Sequence, residues 1–177
     1  ALRYSMQQVY GVQPGDVFWA ASDVGWVVGH SYIVYAPLIT GCTTVLYEGK
    51  PVRTPDAGAY WRVCAQHVVN VFFTAPTGIR AVKKEDPDGL LKPHYDLSAL
   101  KRVYLAGERC DVATLEWARD ILNVPVIDHW WQTESGWPML SMPLNQYGDP
   151  CQPVKPGSAG FPVPGFDIQV LNANNQP

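Results

Sequence analysis

The residues best suited to chemistry lie together at positions 126–136, in the stretch V-I-D-H-W-W-Q-T-E-S-G. Two adjacent aromatic residues, Trp130 and Trp131, stand just before a hydroxyl at Thr133 and a carboxylate at Glu134. Flat apolar walls beside a hydroxyl and a negative charge could serve a nucleotide and its metal ion. A buried aromatic pair ahead of a turn fits the local pattern equally well, so the surrounding elements must decide.

The apolar run at 124–127, directly before this stretch, is typical of a strand that ends in a polar loop. Three other apolar runs also end in distinctive loops, at 25–28, 74–77 and 106–109. The carboxyl ends of parallel strands meet at one edge of a sheet, where α/β proteins bind ligands. Together these loops would line a single cleft with small residues, aromatic walls and a Thr/Glu pair. This convergence favours a binding site.

The whole chain alternates strand-like runs with helical segments of roughly 8–15 residues, which predicts an α/β fold with a mostly parallel sheet and helices packed on it. Strands are predicted at 17–21, 43–47, 68–74, 101–106, 124–127 and 166–171. The Pro- and Gly-rich region 137–160 is predicted as a loop.

Two helices are predicted in the first half of the chain. Residues 31–38 read as a mostly apolar, buried helix that Gly41 closes. Thr54-Pro55 predicts a second helix start, with Thr as N-cap and Pro at the first helical position. One face of that helix would carry Trp61, Cys64 and Val68.

Two more helices are predicted in the second half. Ala75-Pro76 opens the first, with Ile79 and Val82 inward and lysines near its end, where cations oppose the helix dipole. Asp111 is the predicted N-cap of the other. Its apolar stripe would consist of Val112, Leu115, Ala118 and Leu122.

Composition limits the classes of function. Charged residues make up only 16% of the chain, against roughly 25% in typical globular domains. Such a low share suggests that much of the surface is covered by something else, as in a piece of a larger protein. The net charge of −3, without a basic block, argues against a nucleic-acid partner. No apolar run approaches the roughly 20 residues that span a bilayer, so no membrane partner is expected.

The cysteines and histidines are widely spaced. They show neither the C-x-x-C nor the H-x₃-H type of spacing, so a zinc site or a disulfide framework has no support. Scattered free cysteines fit a reducing, intracellular compartment. Gly29-His30-Ser31 resembles the start of a serine-hydrolase elbow, but Ile33 stands where that motif needs Gly. Neither a Rossmann nor a Walker phosphate loop is present.

Two titratable residues near the candidate site allow two interpretations each. His129 could be a general base, but a His beside two Trp residues is more often a hydrogen-bonded packing residue. Glu108 could be a catalytic acid, but next to Arg109 it is more simply half of an ion pair.

Five motifs resemble those of the adenylate-forming acyl-CoA synthetases, in the acetyl/propionyl-CoA synthetase branch. They are D-V-G-W-V-V-G-H-S-Y at 23–32, L-Y-E-G-K-P at 46–51, F-T-A-P-T at 73–77, A-G-E-R at 106–109 and D-H-W-W-Q-T-E-S-G at 128–136. The last is the most specific, because it resembles the family's fifth core motif with a Trp-Trp variant. The resemblance covers essentially all 177 residues.

The resemblance implies a role for each matching position. The nucleotide would be bound by Gly107, Glu108, Arg109, Asp128, His129, Trp130, Gln132 and Thr133. The acyl pocket would be formed by Trp26, Val27, Val28, Ala106 and Trp131. Thr133 and Glu134 would serve catalysis, Thr133 at the α-phosphate of ATP and Glu134 as the ligand of Mg²⁺. Ala75 would edge the tunnel for CoA.

The resemblance also implies a two-step reaction, in which a carboxylate and ATP give an acyl-adenylate and CoA then displaces AMP. Relatives specific for acetate have Val at the position of Ala106 and Thr at that of Val28. The smaller Ala106 leaves room for about one more carbon, a difference worth roughly 1–3 kcal/mol. Propionate is therefore the predicted substrate. Acetyl-CoA synthetase is the nearest alternative, and a non-catalytic, aromatic-walled ligand-binding module or a scaffold are alternatives of other classes.

Under the resemblance, residues 1–177 are a partial AMP-binding domain. The family's phosphate loop would lie upstream and its C-terminal domain, with a catalytic Lys, downstream. The isolated fragment is expected to be inactive, and open sheet edges would favour its self-association. The expected location is the cytoplasm, or the mitochondrial matrix in a eukaryote.

Overall fold

A five-stranded parallel sheet forms the centre of the computed structural model, which describes all 177 residues. The strands are β1 (Val17–Ala20), β2 (Thr43–Thr44), β3 (Val71–Thr74), β4 (Arg102–Leu105) and β5 (Val126–Asp128). Their spatial order is β2-β1-β3-β4-β5, and every neighbouring pair is parallel. The predicted α/β class is therefore confirmed, with strands shorter than the predicted runs.

Helices lie between the strands along the chain. They are α1 (Leu2–Gln8), a π-helix (Gly29–Tyr35), α2 (Ala36–Thr40), α3 (Ala59–Gln66), α4 (Pro76–Glu85), a short 3₁₀ helix (Lys92–His94) and α5 (Val112–Leu122). None of these helices has the length and apolar character needed to cross a membrane.

Both faces of the sheet are buried, which is why its strands read as continuous apolar runs. On one face, residues such as Trp19 and Leu105 pack in a cluster with α3, α4 and α5. On the other face, residues such as Phe18 and Phe73 pack with α1, the π-helix and the start of α2. Neighbouring residues of one strand thus serve two separate cores.

The predicted helix signals around α4 and α5 are confirmed. Pro76 occupies the first position of α4, and Asp111 caps α5 by accepting a hydrogen bond from the backbone N–H of Thr114 at 2.9 Å. Three of the four predicted stripe residues of α5 are buried. The exception is Val112, which lies in the first turn and is exposed.

The predicted start of α3 at Thr54-Pro55 is wrong. The helix begins at Ala59, because the Thr54 hydroxyl hydrogen-bonds the backbone of Lys50 and shapes the preceding loop instead. Two residues of the predicted apolar face, Trp61 and Cys64, are buried. Val68 lies beyond the end of the helix, with a left-handed φ of 54° and an exposure of 59%.

The predicted helix at 31–38 is in fact two elements, the π-helix and α2. Gly41 ends α2 as predicted, with a left-handed φ of 81°. The expectation of burial is wrong for Tyr35 and Leu38, whose side chains are more than half exposed.

The end of the chain differs most from the prediction. Residues 166–171 alternate like a strand, but their backbone finds no neighbouring strand to pair with. Alternation describes side chains, whereas a strand also needs a hydrogen-bonded partner. The predicted loop 137–160 instead contains β6 (Leu140–Ser141), which pairs antiparallel with β7 (Phe161–Pro162).

Candidate active site

An apolar cavity of about 610 Å³ opens at the carboxyl edge of the sheet. The ends of β1, β3 and β4 and the loop after β5 contribute its walls, as the convergence of their loops predicted. Its lining includes every predicted residue of the acyl pocket, the predicted tunnel residue and both predicted catalytic residues: Trp26, Val27, Val28, Ala106, Trp131, Ala75, Thr133 and Glu134.

A second cavity of about 570 Å³ adjoins the first. Seven residues predicted to bind the nucleotide line it: Gly107, Glu108, Arg109, Asp128, His129, Trp130 and Gln132. The two cavities share Gly107, Trp131 and Gln132. The shared residues form a junction where ligands held in the two cavities would meet. We refer to the first and second spaces, after the ligands predicted from the sequence, as the acyl cavity and the nucleotide cavity.

The π-helix packs against the ring of Trp131. The ring of Tyr32 meets that of Trp131 edge-on, with centroids 5.4 Å apart and an interplanar angle of 83°. The Tyr32 hydroxyl is itself within 2.8 Å of the Ser5 hydroxyl on α1. The adjacent Ser31 hydroxyl donates to the carbonyl of Gly136 at 3.3 Å. One helix thus supports both ends of the loop that follows Trp130.

The same π-helix also positions the opposite wall of the acyl cavity. Val27 and Val28 immediately precede its first residue, Gly29. A Cβ atom at Gly29 would overlap the backbone of Val24, so only glycine allows this close approach. Trp26, at the rim, is 69% exposed.

Thr133 and Glu134 lie in the exposed loop between the Trp pair and Gly136. The loop is shaped by Ser135, whose hydroxyl accepts from the backbone N–H of Gln132 at 3.1 Å and lies 2.9 Å from the Trp137 carbonyl. Neither the Thr133 hydroxyl nor the Glu134 carboxylate has a hydrogen-bond partner within the chain. Both are therefore available to a ligand.

His129 borders the nucleotide cavity, but its ring is engaged in the core. Its Nδ1 lies 2.8 Å from the Leu105 carbonyl and must carry the proton, because a carbonyl only accepts. Its Nε2 then accepts from the Tyr10 hydroxyl at 3.0 Å. Burial lowers the pKa of His129 to about 4, although its hydrogen bond to Leu105 opposes the shift. The structure supports the packing interpretation of His129 over that of a general base.

Asp128 is also buried and shows the opposite shift. Its carboxylate accepts from the backbone N–H of Cys110 at 3.2 Å and so joins the end of β5 to the loop after β4. Burial raises its pKa from 3.8 to about 6, while the hydrogen bond from Cys110 acts against this rise. The pKa of Asp128 therefore lies much closer to neutral pH than that of an ordinary Asp.

Glu108 is half of an ion pair as expected, but the predicted partner, Arg109, is wrong. Its carboxylate contacts the guanidinium of Arg80 on α4 at 2.6 Å. It also accepts hydrogen bonds from the hydroxyl of Thr77 and, at 2.8 Å, from its backbone N–H. Arg109 forms no ion pair. Arg80 lies on α4, far from Glu108 in the sequence, so adjacency in the sequence could not reveal the pair.

Several lining residues had no predicted role. Ala20 and Phe73 line the acyl cavity at the ends of β1 and β3, and the strand-end rule could have found them. Gly157 and Ala159 line the nucleotide cavity from the long loop after β6. No local signal in the sequence marks these two residues.

Adjoining cavities at the carboxyl edge of a parallel sheet are typical of a ligand-binding site in an α/β protein. The family model described as "AMP-binding enzyme" matches residues 1–177. The chain belongs to this family of AMP-binding enzymes.

Several curated proteins are similar to nearly the whole chain. "Acyl-CoA synthetase short-chain family member 3, mitochondrial" of Homo sapiens is 55% identical over 175 residues, which are 99% of this chain and 25% of the human protein. The "Propionate--CoA ligase" of Salmonella typhimurium is 48% identical over 172 residues, which are 97% of this chain and 26% of that ligase. The chain spans about a quarter of the length of these relatives.

Proposed function

We propose that this chain forms the acyl- and nucleotide-binding part of an AMP-forming short-chain acyl-CoA synthetase. The observation that carries the proposal is the junction of the two cavities at Gly107, Trp131 and Gln132. A short carboxylic acid in the acyl cavity and ATP in the nucleotide cavity would meet there. The two relatives described above, both named as acyl-CoA-forming enzymes, support the same reaction class.

In the first step, a carboxylate oxygen of the substrate attacks the α-phosphorus of ATP, and pyrophosphate leaves with the bonding electrons. In the second step, the thiolate of CoA attacks the acyl carbon and AMP leaves. Neither step needs a nucleophile from the protein, so catalysis rests on positioning and on charge stabilisation. The unpaired hydroxyl of Thr133 can donate a hydrogen bond to an oxygen of the α-phosphate.

Glu134 fits a role as a ligand of Mg²⁺. Its carboxylate is exposed and free of partners, and Mg²⁺ prefers oxygen ligands, commonly one or two carboxylates together with substrate phosphates. No cluster of three or more potential metal-ligating side chains occurs in the chain, so the ion would arrive with the nucleotide. When bound, Mg²⁺ neutralises charge on the phosphates.

The walls of the acyl cavity favour propionate. Ala106 is buried at the end of β4, where a larger side chain would fill part of the cavity. Trp131, backed by Tyr32, limits the length of the acyl chain. Ala75, which lies on the same cavity just before α4, is the proposed edge of the path for CoA.

The variant Ala106→Val in the intact protein tests the substrate. Two added methyl groups would occupy the space of the third carbon of propionate, which is worth roughly 1–3 kcal/mol. We expect the ratio of kcat/KM for propionate to that for acetate to fall about tenfold or more. Ala113→Val, on the exposed face of α5, makes the same change away from the site and should leave the ratio unchanged. An unchanged ratio in Ala106→Val would refute the preference for propionate.

A further inference from the structure

Arg80 on α4 bridges two carboxylates, those of Glu108 and Asp111, within the loop 107–111. This loop, which we call the nucleotide loop, joins β4 to α5 and lines the nucleotide cavity. One guanidinium nitrogen of Arg80 lies 2.6 Å from Glu108, and the other lies 3.1 Å from Asp111. A planar guanidinium is suited to holding two carboxylates at a fixed spacing. One side chain therefore links residues 108 and 111 of the loop.

The same two carboxylates cap the two helices on either side. The residue before α4, Ala75, has no side chain that could cap it, and Glu108 supplies the missing acceptor to the backbone N–H of Thr77. Asp111 caps α5 through its other oxygen. The pKa of Glu108 is held below its usual value, chiefly by the hydrogen bond from the Thr77 hydroxyl and also by Arg80. Glu108 is therefore charged at neutral pH.

Cys110 anchors the end of the nucleotide loop because its side chain is buried in the core, whereas residues 107–109 have few other contacts that hold them. Residues 107–109 form no backbone–backbone hydrogen bond, and Gly107 adopts a left-handed φ of 103°. Cys110 also donates its backbone N–H to Asp128, but this bond lies beyond residues 107–109. The position of residues 107–109 depends strongly on Arg80 for this reason.

We propose that Arg80 is a positioning residue that fixes the nucleotide loop against α4 and thereby sets the affinity for ATP. The inference rests on the proposed function, because it assumes that the nucleotide cavity receives ATP. Under this proposal Glu108 acts indirectly, because one of its carboxylate oxygens contacts both Arg80 and Thr77 on α4. Arg80 itself lines neither cavity and need not touch the substrate.

Arg80→Gln in the intact protein tests the proposal. The bridge is partly exposed, so we expect a moderate effect, with KM for ATP raised about three- to tenfold. The KM for propionate and the kcat should stay within about twofold of the wild type, because Gly107 is the only residue of the nucleotide loop that also lines the acyl cavity. Arg80→Lys keeps the charge but cannot bridge both carboxylates in a plane, and its KM for ATP should be intermediate.

Arg119→Gln is the matched control. It removes the same charge from the surface of α5, where Arg119 pairs only with its neighbour Asp120 at 3.3 Å. Its KM for ATP should match that of the wild type. The proposal is overturned if Arg80→Gln behaves like Arg119→Gln. It is equally overturned if Arg80→Gln raises KM for both substrates alike, as a general loss of structure would.

A direct measurement of ATP binding separates this proposal from the proposed function. Calorimetry without carboxylate gives the Kd for ATP of the wild type and of Arg80→Gln. A higher Kd in the variant supports the role of Arg80 even if the wild type shows no exchange of pyrophosphate into ATP, a result that would refute the proposed reaction alone. An equal Kd, or no ATP binding by the wild type, refutes the role of Arg80.

Discussion

Burial shifts the pKa values of two neighbouring residues, Asp128 and His129, in opposite directions. The pKa of Asp128 rises from 3.8 to about 6, and that of His129 falls from 6.5 to about 4. The stability that protonated Asp128 contributes is fully present below its unfolded pKa and is lost as pH rises through about 6. The stability that neutral His129 contributes is present at neutral pH and is lost as pH falls through about 4. Between these limits the two contributions oppose each other.

The variant Asp128→Asn tests the contribution of Asp128 to the dependence of stability on pH. Asn keeps an acceptor for the Cys110 N–H but carries no charge, so it avoids the cost of burying an anion. The free energy of unfolding of the variant, relative to the wild type, should increase by up to about 3 kcal/mol from about pH 4 to about pH 7. Urea denaturation across this range measures the difference.

His129→Gln should show the opposite dependence of stability on pH. Its free energy of unfolding, relative to the wild type, should decrease over the same range of pH, because the wild type gains stability as His129 loses its proton. If the difference for Asp128→Asn were independent of pH, the buried carboxylate would not have the raised pKa assigned to it.

At the scale of residues, the sequence predicted which residues lie at the candidate site better than which residues they contact. It marked Asp128, Thr133 and Glu134, because a strand that ends in a polar loop is visible locally. It favoured a packing role for His129, but it could not reveal that His129 bonds Tyr10 and Leu105 or that Glu108 pairs with Arg80. Both facts depend on which helix packs beside which loop, and this information is distributed over the fold.

At the scale of elements, the π-helix at Gly29–Tyr35 connects the two walls of the acyl cavity. π-helical turns are rare and often occur at functional sites. This one carries Tyr32 against Trp131 and begins directly after Val28. The apolar pattern of residues 31–38 predicted a helix here, but a helical period read from one sequence does not distinguish α- from π-helical hydrogen bonding.

Tyr32→Leu should widen the acyl cavity by removing the ring behind Trp131. We expect the ratio of kcat/KM for butyrate to that for propionate to rise about fivefold or more, since one methylene is worth roughly 1–3 kcal/mol. Tyr32→Phe keeps the ring and removes the hydroxyl that contacts Ser5, so its ratio should stay within about twofold of the wild type. Equal ratios in the two variants would show that Tyr32 does not set the chain length.

At the scale of the whole molecule, the sequence predicted the sheet and the edge that carries the site. Continuous apolar runs identify strands buried on both faces, and parallel strands end at one edge. The ends of strands and helices were predicted less well, as the late start of α3 at Ala59 and the short β2 show. These limits are set by loop hydrogen bonds, such as that of the Thr54 hydroxyl, which periodicity does not encode.

The central claim is that the acyl cavity and the nucleotide cavity meet at Trp131 and Gln132. Carboxylate-dependent exchange of labelled pyrophosphate into ATP tests this claim most directly. In the intact protein with Mg²⁺, we expect exchange with propionate, weaker exchange with acetate, and none with octanoate, because we propose that Trp131 limits the length of the acyl chain. Exchange that does not depend on a carboxylate, no exchange with any short acid, or a preference for octanoate would contradict the account.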